Sequence, residues 1–205
     1  MRECVAAAPA RYLPSVLTSR ILLVRHGRSA HVHDPGWVDA ADVRRWRAAY
    51  DEAAIAVDDR PPAALVAEAA RAAVVAASDA PRAVASAERI ARGRPIVTSP
   101  LLRETALEIP RWLPLRWPLA AWEAAIHLQW AWRILRGTDA PAAELERAAE
   151  AAAWLADHAR DGATVLAVTH GVFRRLLARQ LLAEGCIAEP GRRSYRPWSV
   201  WGFRR

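Results

Sequence analysis

The sequence predicts an α/β protein: a mainly parallel open sheet with helices on both faces and a tryptophan-rich helical insert. Three observations predict it. Short apolar runs rich in branched residues and alanine recur at 21–24, 72–77, 95–98 and 163–168, each short enough for a buried strand. Helical patterns separate those runs, as they must when successive strands lie parallel. Glycines and prolines punctuate the junctions.

Length and composition set the outer bounds. A chain of 205 residues suits one well-buried domain, 1–205. Hydrophobic residues make up 53% of it, yet no apolar run reaches membrane-spanning length. Glu3 and Pro9 interrupt the N-terminus where a secretory signal needs an apolar core, and with only Cys4 and Cys186 there is no disulfide framework or zinc cluster, which fits a reducing cytoplasm. The net charge is +7, but all 29 basic residues are arginine and asparagine is absent, a pattern that fits coding bias as much as a selected basic surface. The arginines are scattered, with no aromatic-interleaved basic strip, which argues against a nucleic-acid partner. A basic field equally steers a small anionic substrate.

Each element has its own justification. Ile21 to Val24 form a buried strand, and Gly27 lets the chain turn where it ends, so Arg25 and His26 sit at a strand tip. Ligands of open α/β sheets bind beyond the carboxyl ends of strands. Pro35 and Gly36 make 31–36 a loop, where His31, His33 and Asp34 lack the further ligands of a metal site. Val43, Trp46 and Tyr50 recur at three and four residues and predict a helix over 37–50. A second helix over 62–71 follows Asp58, Asp59 and a proline pair. The strand 72–77 runs into Ser78 and Asp79, one of which should cap a helix beginning at Pro81. Arg82 therefore lies in the first helical turn beyond a strand tip.

Gly93 ends that helix, and the short strand 95–98 runs into Ser99 to Glu104. Prolines 110, 114 and 118 exclude a regular helix from 105–118. Trp122, Ile126, Trp130 and Arg133 share a stripe on a helix over 119–136, stopped by Gly137. Asp139 should cap an alanine-rich helix over 140–160. The clearest strand, 163–168, delivers Thr169, His170 and Gly171 at its end. The helix over 172–183 then points unsatisfied amides toward whatever His170 faces, which suits an anion. Alternation in 194–203 predicts a last strand, placed at an edge of the sheet.

Three strand tips thus carry polar groups: Arg25 with His26, Ser78 leading to Arg82, and His170. Arg25-His26-Gly27-Arg28-Ser29 resembles the RHG-x-[ST] signature of the histidine phosphatase superfamily, in its phosphoglycerate mutase-like branch. Ser78 to Ala87 resembles the family's S-D-x-x-R-A-x-x-T-A segment, Leu102-Arg103-Glu104 its L-x-E segment, and Thr169-His170-Gly171 its second histidine motif. The motifs occur in the family's order and span residues 21–183.

The resemblance implies a phosphomonoester hydrolase, of the histidine acid phosphatase type, with no cofactor or metal. His26 would attack phosphorus to give a phosphohistidine that water hydrolyses. Arg25, Ser29, Arg82 and His170 would surround the phosphoryl oxygens, whose charge fixed guanidinium donors stabilise. Glu104 would protonate the leaving oxygen and later deprotonate water, with Glu108 close enough to substitute. The partner is a small phosphorylated molecule; homo-oligomerisation stays open. A phosphomutase and a catalytically silent phosphate-binding or scaffold protein are the alternatives.

The chain departs from the pattern where many relatives carry an asparagine six residues after the first histidine, here Val32, so Arg28, His31 or His33 would replace that contact. The sequence after Glu104 also lacks the mutases' tyrosine-glycine pattern. Half of the ten tryptophans fall in the segment 105–136, as Trp112, Trp117, Trp122, Trp130 and Trp132. A lid that offers Trp117 and Trp122 to a hydrophobic leaving group is one expectation, and packing of the helix on the sheet is the other.

Overall fold

The computed structural model describes residues 18–32, 34–106, 108–109, 115–137, 141–191 and 193–205. Strand β1 (Arg20–Arg25) is buried through its middle and sends Ile21 and Leu23 to one face, Leu22 and Val24 to the other. That alternation makes it a central strand with a core on each side. Its neighbours are β6 (Thr164–Thr169), parallel, and β8 (Val200–Arg204), antiparallel. Beyond β6 lie β3 (Val74–Ser78) and β4 (Val97–Ser99), both parallel; beyond β8 lies the two-residue β7 (Ile187–Ala188). The six-stranded order is β4-β3-β6-β1-β8-β7.

Two of the helices, α5 (Ala142–His158) and α6 (Phe173–Ala183), cover the face that carries Ile21, Leu23, Val165, Trp201 and Phe203. On the opposite face, α2 (Ala63–Arg71) and α3 (Pro81–Ala91) bury Leu22, Val24, Val75, Leu166 and Val168. A third, smaller cluster joins α1 (Ala40–Glu52) to α4 (Leu119–Leu135) through β2 (Trp37–Val38) and β5 (Trp117–Pro118), which pair antiparallel. Asp39 and Asp42 close a reciprocal capping box at the start of α1. No described helix is long and apolar enough to cross a membrane.

The structure corrects three local expectations. The last strand is not an edge strand: β8 lies inside the sheet, and β7, too short to show any alternation, takes the edge. The first turn of α3 is capped by neither Ser78 nor Asp79. Its N-cap is Ala80, Ser78 Oγ accepts from the Ala80 amide, and Asp79 pairs with Arg103. The N-cap of α5 is Pro141, and Asp139 lies outside the described residues.

Candidate active site

Parallel register brings the histidines together. Arg25 stands opposite Thr169 across the β1–β6 ladder, and the His26 amide donates to Thr169 O (3.0 Å). Each strand then releases its next residue at the same level. The His26 and His170 rings lie 5.1 Å apart, both buried. Ser78, at the end of β3, hydrogen-bonds His170 Nε2 through its hydroxyl (3.0 Å).

The tautomer of His26 follows from its partner. Gly27 O lies 2.7 Å from Nδ1 and can only accept, so Nδ1 carries the proton and the free electron pair sits on Nε2. Burial pushes the His26 pKa down to about 3; the hydrogen bond to Gly27 opposes the shift, and the nearby cations Arg82, Arg25 and Arg174 reinforce it. His170 is driven well below the ordinary histidine range, first by burial and then by His26 and the surrounding arginines. Both rings are neutral at pH 7.

Gly27 is required for a reason other than the expected turn. Its φ is not positive; a Cβ there would lie 2.5 Å from both Asp59 Oδ2 and the Trp198 ring. Those two groups hydrogen-bond each other (2.8 Å), and Asp59 Oδ2 also accepts from the Arg28 amide (2.6 Å). On the other side the Gly27 amide donates to Ser86 Oγ (2.9 Å). The backbone after His26 is thus clamped between α3 and the C-terminal segment.

The arginines are held by acceptors of the chain itself. Arg25 donates to Tyr195 O, and its backbone pairs with Trp198 and Ser199. Buried Arg82 donates to Tyr50 O (3.3 Å), Asp51 O (3.2 Å) and the Asp51 carboxylate (3.1 Å), with its guanidinium 4.7 Å from the Tyr50 ring centroid. Arg174 is fully buried and donates to Ser199 O (2.6 Å), Ser194 O (2.7 Å) and Ser199 Oγ (3.1 Å), so it ties the Ser194–Ser199 turn to the sheet. Burial lowers its pKa to about 10, and Arg25 adds to the shift.

Glu104 occupies the helix end that the sequence left open for an anion. Its carboxylate accepts from the amides of Phe173 (2.8 Å), Val172 (3.3 Å) and Thr105 (3.0 Å), so it caps α6, whose own N-cap residue supplies no side-chain bond. A carboxylate at a helix N-terminus is favoured by the amides and by the helix dipole. Glu108 is drawn elsewhere, toward Arg133 (3.4 Å).

A cavity of about 480 Å³ opens over His26, and its wall includes Arg25, Glu104, Gly171 and Tyr195, with Trp46 and Tyr50 from α1 and Trp130 from α4. A second hollow of about 620 Å³ holds Arg82, Asp51 and the other side of Glu104. The expected pocket residues mostly stand outside both. Arg28 is exposed and pairs with Asp58 at 2.8 Å. Ser29 is buried and accepts from the His31 amide (3.1 Å), so its hydroxyl shapes the loop. His31 packs edge-on to Trp46 at 5.1 Å. Trp117 leans on Trp122, 5.8 Å between centroids, and Trp122 is wholly buried with Nε1 donating to Val38 O (3.0 Å). These two tryptophans pack α4 onto the small cluster. His33 and Trp112 lie outside the described residues.

Sequence reasoning missed the groups that complete the site. Ser86 lies within a quoted motif, yet its partner, Gly27, is remote in sequence. The spacing of Trp46 and Tyr50 predicts a helix stripe, and on a helix that spans two environments the same stripe lines the cavity. Arg174 and Arg175 are adjacent arginines in sequence, and nothing in it says that one is buried and the other faces the cavity.

Comparison with known proteins bears on the family and the fold. The model of the histidine phosphatase superfamily (branch 1) matches residues 21–199. No curated protein matches the chain. Among solved structures, a mycobacterial glucosyl-3-phosphoglycerate phosphatase in complex with VO3 aligns with a TM-score of 0.52 and 20% identity, over 80% of this chain and 82% of that one. A protein described as mycobacterial hydrolase 1 aligns with a TM-score of 0.51 and 21% identity, over 81% and 82%. An open reading frame product from Mycobacterium tuberculosis aligns with a TM-score of 0.51 and 19% identity, over 91% and 94%. At these identities the likeness is one of fold.

Proposed function

The chain belongs to the histidine phosphatase superfamily, branch 1, and from that premise we propose that it hydrolyses phosphomonoesters through a phosphohistidine at His26. The observation that carries the proposal is the state of His26. A neutral imidazole with Nδ1 tied to Gly27 O presents its electron pair on Nε2 in a cavity walled by arginine. Nucleophilic catalysis needs that state, and burial maintains it across the physiological range.

In the proposed reaction Nε2 attacks phosphorus and the ester oxygen departs. Arg25 and Arg82 stabilise the charge on the equatorial oxygens, at fixed positions and without reorganisation. The unpartnered Nε atoms of both arginines and Nδ1 of His170 are buried donors or acceptors that suit this electrostatic role. Asp51 is the anion that substrate displaces from Arg82. Glu104 protonates the leaving oxygen and takes a proton from the attacking water in the second step. To act as acid, one of its oxygens must release an α6 amide. Phosphate then leaves and His26 is regenerated.

The test is hydrolysis of a chromogenic aryl phosphate in the presence of a chelator, with wild type compared to His26→Ala. We expect turnover that disappears in the variant, and acid-labile phosphate on the wild-type protein in single-turnover quench. Failure to find any His26-dependent turnover across a broad phosphoester panel would convert the protein into a phosphate-binding one. Transfer of the phosphoryl group to another substrate hydroxyl would make it a mutase.

A further inference from the structure

Five arginines border the two hollows, and four of them have acceptors: Arg25 on Tyr195 O, Arg47 and Arg82 on Asp51, and Arg103 on Asp79. Arg175 differs. Among the described residues no carboxylate pairs with it, and its Nε is buried without a partner. Its guanidinium lies 5.2 Å from the centroid of the Trp130 ring, and both line the cavity over His26. Trp130 Nε1 likewise lacks an acceptor.

A guanidinium held against an indole is restrained through its plane, and its in-plane N–H donors stay free. An unpaired cation on a cavity wall attracts an anion, and a planar fork suits a carboxylate or phosphoryl group. The phosphoryl group itself is matched by Arg25 and Arg82 beside His26, so Arg175 is surplus to the reacting centre. The other charges on the wall limit where a second anion can sit. Glu104 is held by the α6 amides, and Glu123 and His127 project from α4 on the same wall as Trp130. Glu123 repels an anion, so the favourable position is on the Arg175 side of Trp130.

We propose that Arg175 is a specificity residue that takes a second anionic group, a carboxylate or a second phosphoryl, on the leaving group of the substrate. The proposal rests on the reading of the His26 site as a phosphomonoester site. It places the substrate among dianionic or more highly charged esters, with the two anions separated by a spacer that fits the 480 Å³ cavity.

The test uses ω-phosphonoalkanoates of three to eight carbons, each paired with its methyl ester, and the matching α,ω-bisphosphonates. Affinities are measured by calorimetry on wild type, Arg175→Met, Arg175→Gln and Arg179→Met, the last being an exposed arginine one turn further along α6. In wild type the best-fitting acid should bind at least tenfold tighter than its methyl ester. In Arg175→Met that preference should fall below threefold, with ester affinity changed by less than threefold and the preference intact in Arg179→Met. Arg175→Gln makes the same comparison if the methionine variant does not fold. Whether acid or bisphosphonate gains more from Arg175 distinguishes the two anions. Phosphonate binding with no preference for a second anion, carboxylate or phosphonate, or a preference that survives loss of Arg175, overturns the assignment of Arg175 alone. No binding of inorganic phosphate or of any phosphonate overturns the reading of the whole site.

Discussion

At the scale of the residue, the proposed chemistry depends on keeping two histidines neutral, and that has a consequence for stability. The His26 pKa is about 3 in the folded protein and about 6.5 in an unfolded chain. Between those values the unfolded state binds a proton that the folded state refuses, so stability falls as pH drops from about 6.5 toward 3. The slope approaches about 1.4 kcal/mol per pH unit for one such group. His170, shifted in the same direction, adds to it. Urea midpoints between pH 7 and pH 4.5 should decline steeply in wild type and less so in His26→Gln. Parallel declines in the two proteins would show that His26 is not the group responsible. His26 and His170 were legible in the sequence because each follows an apolar run and precedes a glycine. The roles of Arg28, Ser29 and His31 were not, because position next to a nucleophile does not fix the direction of a side chain. Arg28 turns outward to Asp58 and Ser29 turns back to its own loop.

At the scale of the element, α6 carries two demands at its first turn. Its amides need an acceptor, which Glu104 supplies from the segment after β4, and the proposed reaction assigns the same residue the role of acid. Two substitutions separate these roles. Glu104→Ala should lose the cap, about 1 kcal/mol of stability by analogy with local caps, together with proton transfer. Glu104→Gln keeps an oxygen for the amides, so it should melt near wild type while kcat on a poor leaving group falls ~10²–10⁴-fold. A glutamine variant with wild-type kcat on such a substrate would remove Glu104 from the chemistry and leave it as a cap. The cap was invisible in sequence because it joins residues 104 and 173, far apart along the chain. Helix α4 shows a related limit. Apolar period identified the helix, but Trp122 and Trp130 diverge by about 80° around an axis of 3.6 residues per turn. One therefore enters the small core while the other reaches the cavity.

At the scale of the whole molecule, the parallel strands end together and gather charge at one edge, where Arg25, Arg82, Arg174 and Arg175 stand beside a chain of net charge +7. The composition alone could not separate coding bias from a selected field, since both fill the surface with arginine. The structure adds that Arg174 is buried with carbonyls as its direct partners and no salt bridge among the described residues, and Glu104, acting on it at a distance, offsets its charge only in part. A charge only partly offset in a low-dielectric interior projects further than one at the surface. Steering by such a field acts on encounter with a dianionic ester, and mobile ions screen it over a Debye length of about 10 Å at 0.1 M. If the field is functional, kcat/KM for a fast substrate should fall severalfold between roughly 20 and 200 mM ionic strength, while kcat stays nearly constant. A methyl-esterified leaving group should show a weaker dependence than its free acid, because it presents less charge to the same field. Flat kcat/KM across that range for both would return the surface arginines to coding bias and leave only the contacts at Arg25, Arg82 and Arg175 to hold the anion.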